Sequence, residues 1–115
     1  MLLQIHERQI EPGITHLEVI GRLTLGREAQ RLETLTTELA HRGVTKVILD
    51  LTGVDYMDSS GIGIIMLGSG RFKQAGGRMV VVVPEGRVLQ LLKTAGMDAL
   101  LTISDSVNAA AAAVA

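Results

Sequence analysis

The sequence predicts a small α/β domain, a mixed sheet of four to five strands packed with about four helices. Three observations carry that reading. Two continuous apolar runs, KVILDL (Lys46–Leu51) and MVVVV (Met79–Val83), suit central strands covered on both faces. Between them lies a helix-length segment closed by Gly76-Gly77, the spacing of a right-handed crossover between parallel strands. The chain has 115 residues, 47% hydrophobic and 20% charged, enough for one compact core and too few for two, so a single domain over 1–115 is expected.

Each element follows in order. Residues 2–8 and 15–20 alternate loosely, with Leu3 and Ile5 set against Gln4 and His6, then Leu17 and Val19 as the apolar pair. With Glu11-Pro12-Gly13 between them they read as an antiparallel hairpin on one side of the sheet. From Arg27 to His41 the apolar period becomes helical, through Ala29, Leu32, Leu35 and Leu39, and Gly43 supplies the stop. The strand KVILDL comes next, then a helix from Asp58 to about Gln74 and the strand MVVVV. After Pro84-Glu85-Gly86, Val88, Leu91, Leu92 and Ala95 share one helical face that ends at Gly96. Leu100–Ile103 reads as a short extended piece. Ser104-Asp105-Ser106 then caps an alanine-rich helix through Val107 and Val114, because alanine has the best intrinsic helix propensity.

Composition and motifs exclude several function classes. Aromatic residues are 2% of the chain, Trp is absent and the formal net charge is -1, so neither a base-stacking platform nor a basic footprint for nucleic acid is expected. The absence of cysteine removes disulfides, thiolate metal sites and thiol nucleophiles. Charge appears almost at once after Met1, which argues against a signal peptide or membrane span; a cytoplasmic protein, monomeric when free, is expected. Ser59 and Ser60 lack the glycine that a Gly-x-Ser-x-Gly nucleophile elbow places two residues earlier, and nothing in the pattern forces His6, His16 or His41 beside them. Gly61-Ile62-Gly63 has Met66 where a dinucleotide fingerprint needs its third glycine, and no phosphate loop occurs. Asp50, Asp55 and Asp58 do not match a calcium loop; Asp50 reads as a strand-end residue and Asp55 as a solvated loop charge. No enzyme, cofactor or metal is expected.

The remaining feature is Asp58-Ser59-Ser60-Gly61. An Asp just before a helical segment accepts unpaired N–H groups of the first turn, and Ser59 then falls within that turn, beyond the carboxyl end of a strand where side chains meet partners. A phosphoryl group there would meet the positive helix end and its spare N–H donors. It would also add about -1.5 to -2 of charge beside Asp58, enough to repel a closely docked protein. As four residues alone this is also an ordinary helix start.

The run VILDLTGVDYMDSSGIGIIM, followed by GGRMVVVV and VLQLLKTAGMDALL, resembles a stand-alone STAS domain of the bacterial anti-sigma factor antagonists. The resemblance implies that Ser59, the first hydroxyl residue after the Asp, is phosphorylated. It implies that the unphosphorylated chain binds an anti-sigma factor that is also a serine kinase, freeing the sigma factor. That kinase would hold the ATP and magnesium itself, and a PP2C-type phosphatase would reset the switch. Asp58, Ser60, Gly61, Ile62 and Gly63 would belong to the partner-binding surface. Ser60 would support the turn through a local hydrogen bond, Ile62 would offer an apolar contact, and the two glycines would keep the helix start low for close approach. Gly21-Arg22-Leu23 matches the family's Gly-x-Leu, but Thr24 stands where an Asp associated with the kinase-facing surface is usual. A second reading on the same fold is a scaffold subunit of a signalling or transport complex, with Ser59 acting only at the helix cap.

Overall fold

The structure is a computed structural model and describes residues 3–115. Its elements are β1 (Gln4–Glu11), β2 (Ile14–Leu23), α1 (Arg27–His41), β3 (Lys46–Met57), α2 (Ser59–Gln74), β4 (Arg78–Val82), α3 (Arg87–Thr94), β5 (Thr102–Ser104) and α4 (Val107–Val114). A single 3-10 turn, Met97–Ala99, follows α3 and has no counterpart in the sequence expectations. Leu2, the expected start of the first strand, lies outside the described residues.

The strands form one five-stranded sheet in the order β1-β2-β3-β4-β5, with β1 antiparallel to β2 and every other pair parallel. This order decides the layers. Each parallel strand is laid down on the same side of its predecessor, so the right-handed rule sends all three crossover helices to one face. The packing agrees. Ala29, Leu32 and Leu39 of α1, Ile64, Ile65 and Phe72 of α2, and Val88 and Leu92 of α3 share one core with Val47, Leu49, Leu51 and Val81. The opposite face is left to α4, whose Ala110 and Val114 cover Ile14, Ile48, Val80 and Val82. Alternate residues of β3 and β4 thus enter two different cores, which is why both strands read as unbroken apolar runs.

β3 corrects one expectation. It does not end near Leu51 but continues to Met57, because its two edges stop at different places: pairing with β4 ends at Asp50, whereas pairing with β2 continues to Met57 opposite Leu23. The extension contains register irregularities at Glu18/Ile20 and Gly21/Arg22. Gly53 sits there because a Cβ would lie 2.9 Å from Ile20 Cγ1 and 3.2 Å from the Val19 carbonyl oxygen. In a linear reading that glycine resembles a strand end.

Asp50 is therefore a mid-strand, buried carboxylate and Asp55 an exposed strand residue, not a loop charge. Asp50 is fully partnered. Its Oδ1 accepts from the Thr52 hydroxyl at 2.6 Å and the Thr52 N–H at 3.0 Å, and its Oδ2 lies 2.9 Å from His16 Nε2. Burial pushes this carboxyl up, but the two Thr52 bonds and the His16 ring outweigh it and hold it below its ordinary value. His16 is thus a core histidine tied to Asp50, while His6 and His41 are exposed.

Candidate functional site

The site forms where β3 gives way to α2. Asp58 is the N-cap of α2, with extended backbone, and its Oδ1 accepts from the N–H groups of Ser60 at 3.0 Å and Gly61 at 3.2 Å. Its Oδ2 accepts from the Leu25 N–H at 3.0 Å, and its own N–H donates to the Leu23 carbonyl at 3.3 Å. One carboxylate thus fastens the β2–α1 loop, which carries Thr24, to the start of α2. The Leu25 N–H contributes most to holding Asp58 below its ordinary value; partial burial opposes it, and the Gly61 and Ser60 N–H groups add to the lowering.

Ser59, the first residue of α2, is exposed, with Ser60, Ile62, Gly63 and Thr24 half-buried around it. Ser60 donates its backbone N–H to Asp58, and among the described residues no hydrogen bond from its hydroxyl is found, so the local bond expected of its side chain is not the one that forms here. Because Asp58 already holds the N–H groups of Ser60 and Gly61, a phosphoryl group on Ser59 would find fewer spare donors than the sequence suggested, and an ionised neighbour. Ile62 is packed against the main core, so only part of it remains for an external contact. The two glycines separate. Gly61 is buried, and a Cβ there would lie 2.7 Å from both the Leu23 carbonyl oxygen and Met57 Cγ. A Cβ at Gly63 would meet nothing within 4 Å, so Gly63 serves no internal close approach.

Sequence reasoning missed three exposed apolar side chains. Leu25 is 81% exposed, Leu67 51% and Met66 41%, and from Ser59 to Gly70 the helix carries no charged residue. The signal was present: Leu25 has no periodic partners, and Met66 and Leu67 fall off the α2 stripe that reaches the core. Leu25 lies in the loop that Asp58 ties to the head of α2, and Met66 and Leu67 lie about two turns further along that helix. Among the described residues no three His, Asp or Glu side chains gather as a metal group, and no helix is long and apolar enough to cross a membrane.

The cap makes a pH-dependent prediction. A carboxyl depressed in the folded state stabilises above its ordinary value of 3.8, and that stability is lost as pH falls through the folded value. Asp58→Ala is expected to lose about 1–2 kcal/mol near neutral pH. Asp58→Asn, which keeps an acceptor, should lose less but should shed the acid-side dependence. Urea unfolding near neutrality and at about pH 3 checks this, and an Asp58→Ala penalty that is the same at both would refute it.

Several known proteins are similar to this chain in sequence or in fold. BtrV of Bordetella bronchiseptica, which carries the name of an anti-sigma factor antagonist, is 28% identical over 85 residues, covering 74% of this chain and 73% of BtrV. The structure is similar to an anti-sigma factor antagonist from Mycobacterium paratuberculosis, with a TM-score of 0.85 at 18% identity over 97% of this chain and 93% of that one. It is also similar to the anti-sigma factor antagonist SpoIIAA in its unphosphorylated form, with a TM-score of 0.73 at 16% identity over 94% of each chain. For the phosphorylated form of SpoIIAA, from Bacillus, the TM-score is 0.72 at 15% identity over 92% of this chain and 96% of that one. Residues 6–110 match the STAS domain model, nearly the whole of the strand, cap and helix framework described above, and the chain belongs to the STAS domain family.

Proposed function

We propose that the chain is a cytoplasmic anti-sigma factor antagonist whose binding to an anti-sigma factor serine kinase is switched off by phosphorylation of Ser59. The observation that carries this reading is the exposed Ser59 hydroxyl at the head of an uncharged helix face, beside a carboxylate that is already ionised and fully engaged. The likeness to BtrV and to the antagonist structures supports the class of partner.

The chemistry divides between two proteins. The Ser59 oxygen attacks the γ-phosphorus of ATP held with magnesium by the kinase, ADP leaves, and the serine proton passes to a base of the kinase. This chain supplies the hydroxyl and the docking face, and acts as substrate rather than catalyst. The new dianion then stands beside Asp58, whose carboxylate holds the neighbouring amides, so it faces the partner with little local neutralisation. A PP2C-type phosphatase would restore the hydroxyl.

The test uses each anti-sigma-type serine kinase of the source organism, incubated with the chain, ATP and magnesium, followed by peptide mass mapping. A single phosphate on Ser59, absent from Ser59→Ala, is expected. Modification at another residue, or none with any of these kinases, overturns the reading.

A further inference from the structure

A second feature lies where the end of β3 meets α3. The last residues of β3 and one flank of α3 bound an open groove of about 510 Å³. Tyr56, Met57, Val88 and Leu91 supply its apolar lining, and Gly86, Arg87, Gln90 and Thr94 complete it. Opposite Tyr56 in the β2–β3 register is Arg22, whose guanidinium carbon is 4.8 Å from the Tyr56 ring centroid.

The charge on this groove is one-sided. Arg8, Arg42 and Arg71 are each within ion-pair distance of a glutamate, but among the described residues neither Arg22 nor Arg87 has a carboxylate partner. Among the described residues, Arg87 is the one charged residue that lines the groove; Arg22 lies outside the lining, over Tyr56, and Asp55 and Glu85 do not line it either. The Arg22 guanidinium is within cation–π distance of the Tyr56 ring, an interaction that uses none of its N–H donors and leaves them available to a carboxylate. The N-cap of α3, Gly86, lines the groove and has no side-chain cap, so the helix end adds to the positive potential of Arg87. The groove lining is thus largely apolar with Arg87 as its charged residue, and Arg22 adds positive charge beside Tyr56.

We propose that this groove docks an acidic segment of a partner protein, with one apolar side chain seated between Tyr56 and Leu91 and flanking carboxylates on Arg22 and Arg87. The open shape argues against a small ligand, which a binding pocket normally encloses over most of its surface. Because Tyr56 and Met57 lead directly into Asp58 and Ser59, a partner engaging the head of α2 can reach the groove with an adjoining segment. The inference goes beyond the phosphorylation switch and stands without it.

The probe is a short synthetic peptide with one leucine flanked on both sides by glutamates, titrated into the isotope-labelled chain. Amide shifts concentrated at Tyr56, Gly86, Val88 and Leu91 are expected. Arg22→Glu with Arg87→Glu should weaken binding at least about tenfold, the scale of losing charge complementarity at a rim. Gln90→Trp, at an exposed position that lines the groove, should abolish binding by filling it, with thermal unfolding as the check that both variants fold. Shifts confined to other surfaces, equal affinity for a lysine-flanked peptide, or tighter binding of laurate at the same residues would each overturn the proposal. Since no kinase takes part, failure here is separable from failure at Ser59.

Discussion

Ser59→Asp is expected to lower affinity for the anti-sigma partner by about 30-fold, and phosphorylated Ser59 by up to a few thousand-fold, corresponding to roughly 2–5 kcal/mol for a poorly paired charge in an interface. The aspartate falls at the weak end because it carries one charge where phosphate carries about -1.5 to -2. The fold should be nearly indifferent to it. An acid in the first turn gains about 0.3–1 kcal/mol from the helix dipole, and repulsion from Asp58 offsets much of that. Titration calorimetry with the partner, alongside thermal unfolding, reads both quantities. Ser59→Ala, which adds no charge, should bind much as the unmodified chain does. Unchanged affinity for Ser59→Asp in a stably folded protein would remove the switch.

Gly61→Ala and Gly63→Ala should have opposite effects on stability, although the positions are two residues apart on the same helix. Helix propensity favours each alanine by about 1 kcal/mol. At Gly63 nothing within 4 Å opposes the new methyl group, so that gain should appear in full. At Gly61 the Cβ would press against the Leu23 carbonyl oxygen, which is backbone and which also accepts the Asp58 N–H. Relieving that contact means moving α2 off the end of β2 and loosening the cap. An overpacking cost of roughly 3 kcal/mol exceeds the propensity gain, leaving a net loss of about 2 kcal/mol. For a chain of this length that is a fall of roughly 5–10 °C in Tm. Scanning calorimetry on the two variants decides it, and an unchanged Tm for Gly61→Ala would contradict the geometry. The Asp58 cap should weaken in parallel, so partner binding by Gly61→Ala should fall even without any change of charge.

The site was legible in part because a helix cap is a local device. Asp58, the serine after it and the apolar run beyond lie within a few residues, and the N–H groups that Asp58 accepts from α2 are those the sequence implied. The Leu25 N–H was not legible, because it arrives from a loop 33 residues earlier in the chain. Gly61 and Gly63 look alike in a linear pattern. Only the proximity of Leu23 makes one obligatory and leaves the other free.

The fold divides in the same way. Turn glycines, apolar periodicity and the alanine run are properties of short segments, and they determined the nature and order of the major elements, with α1 starting and ending at the expected residues. What only the tertiary structure decided is where segments distant in sequence meet: the continuation of β3 along β2 past its contact with β4, the pairing of His16 with Asp50, and the approach of Arg22 to the Tyr56 ring. The reason is physical. Local backbone preference acts over a few residues, whereas strand register, buried charge pairs and surface grooves arise from side chains brought together by the twist and crossover of the sheet.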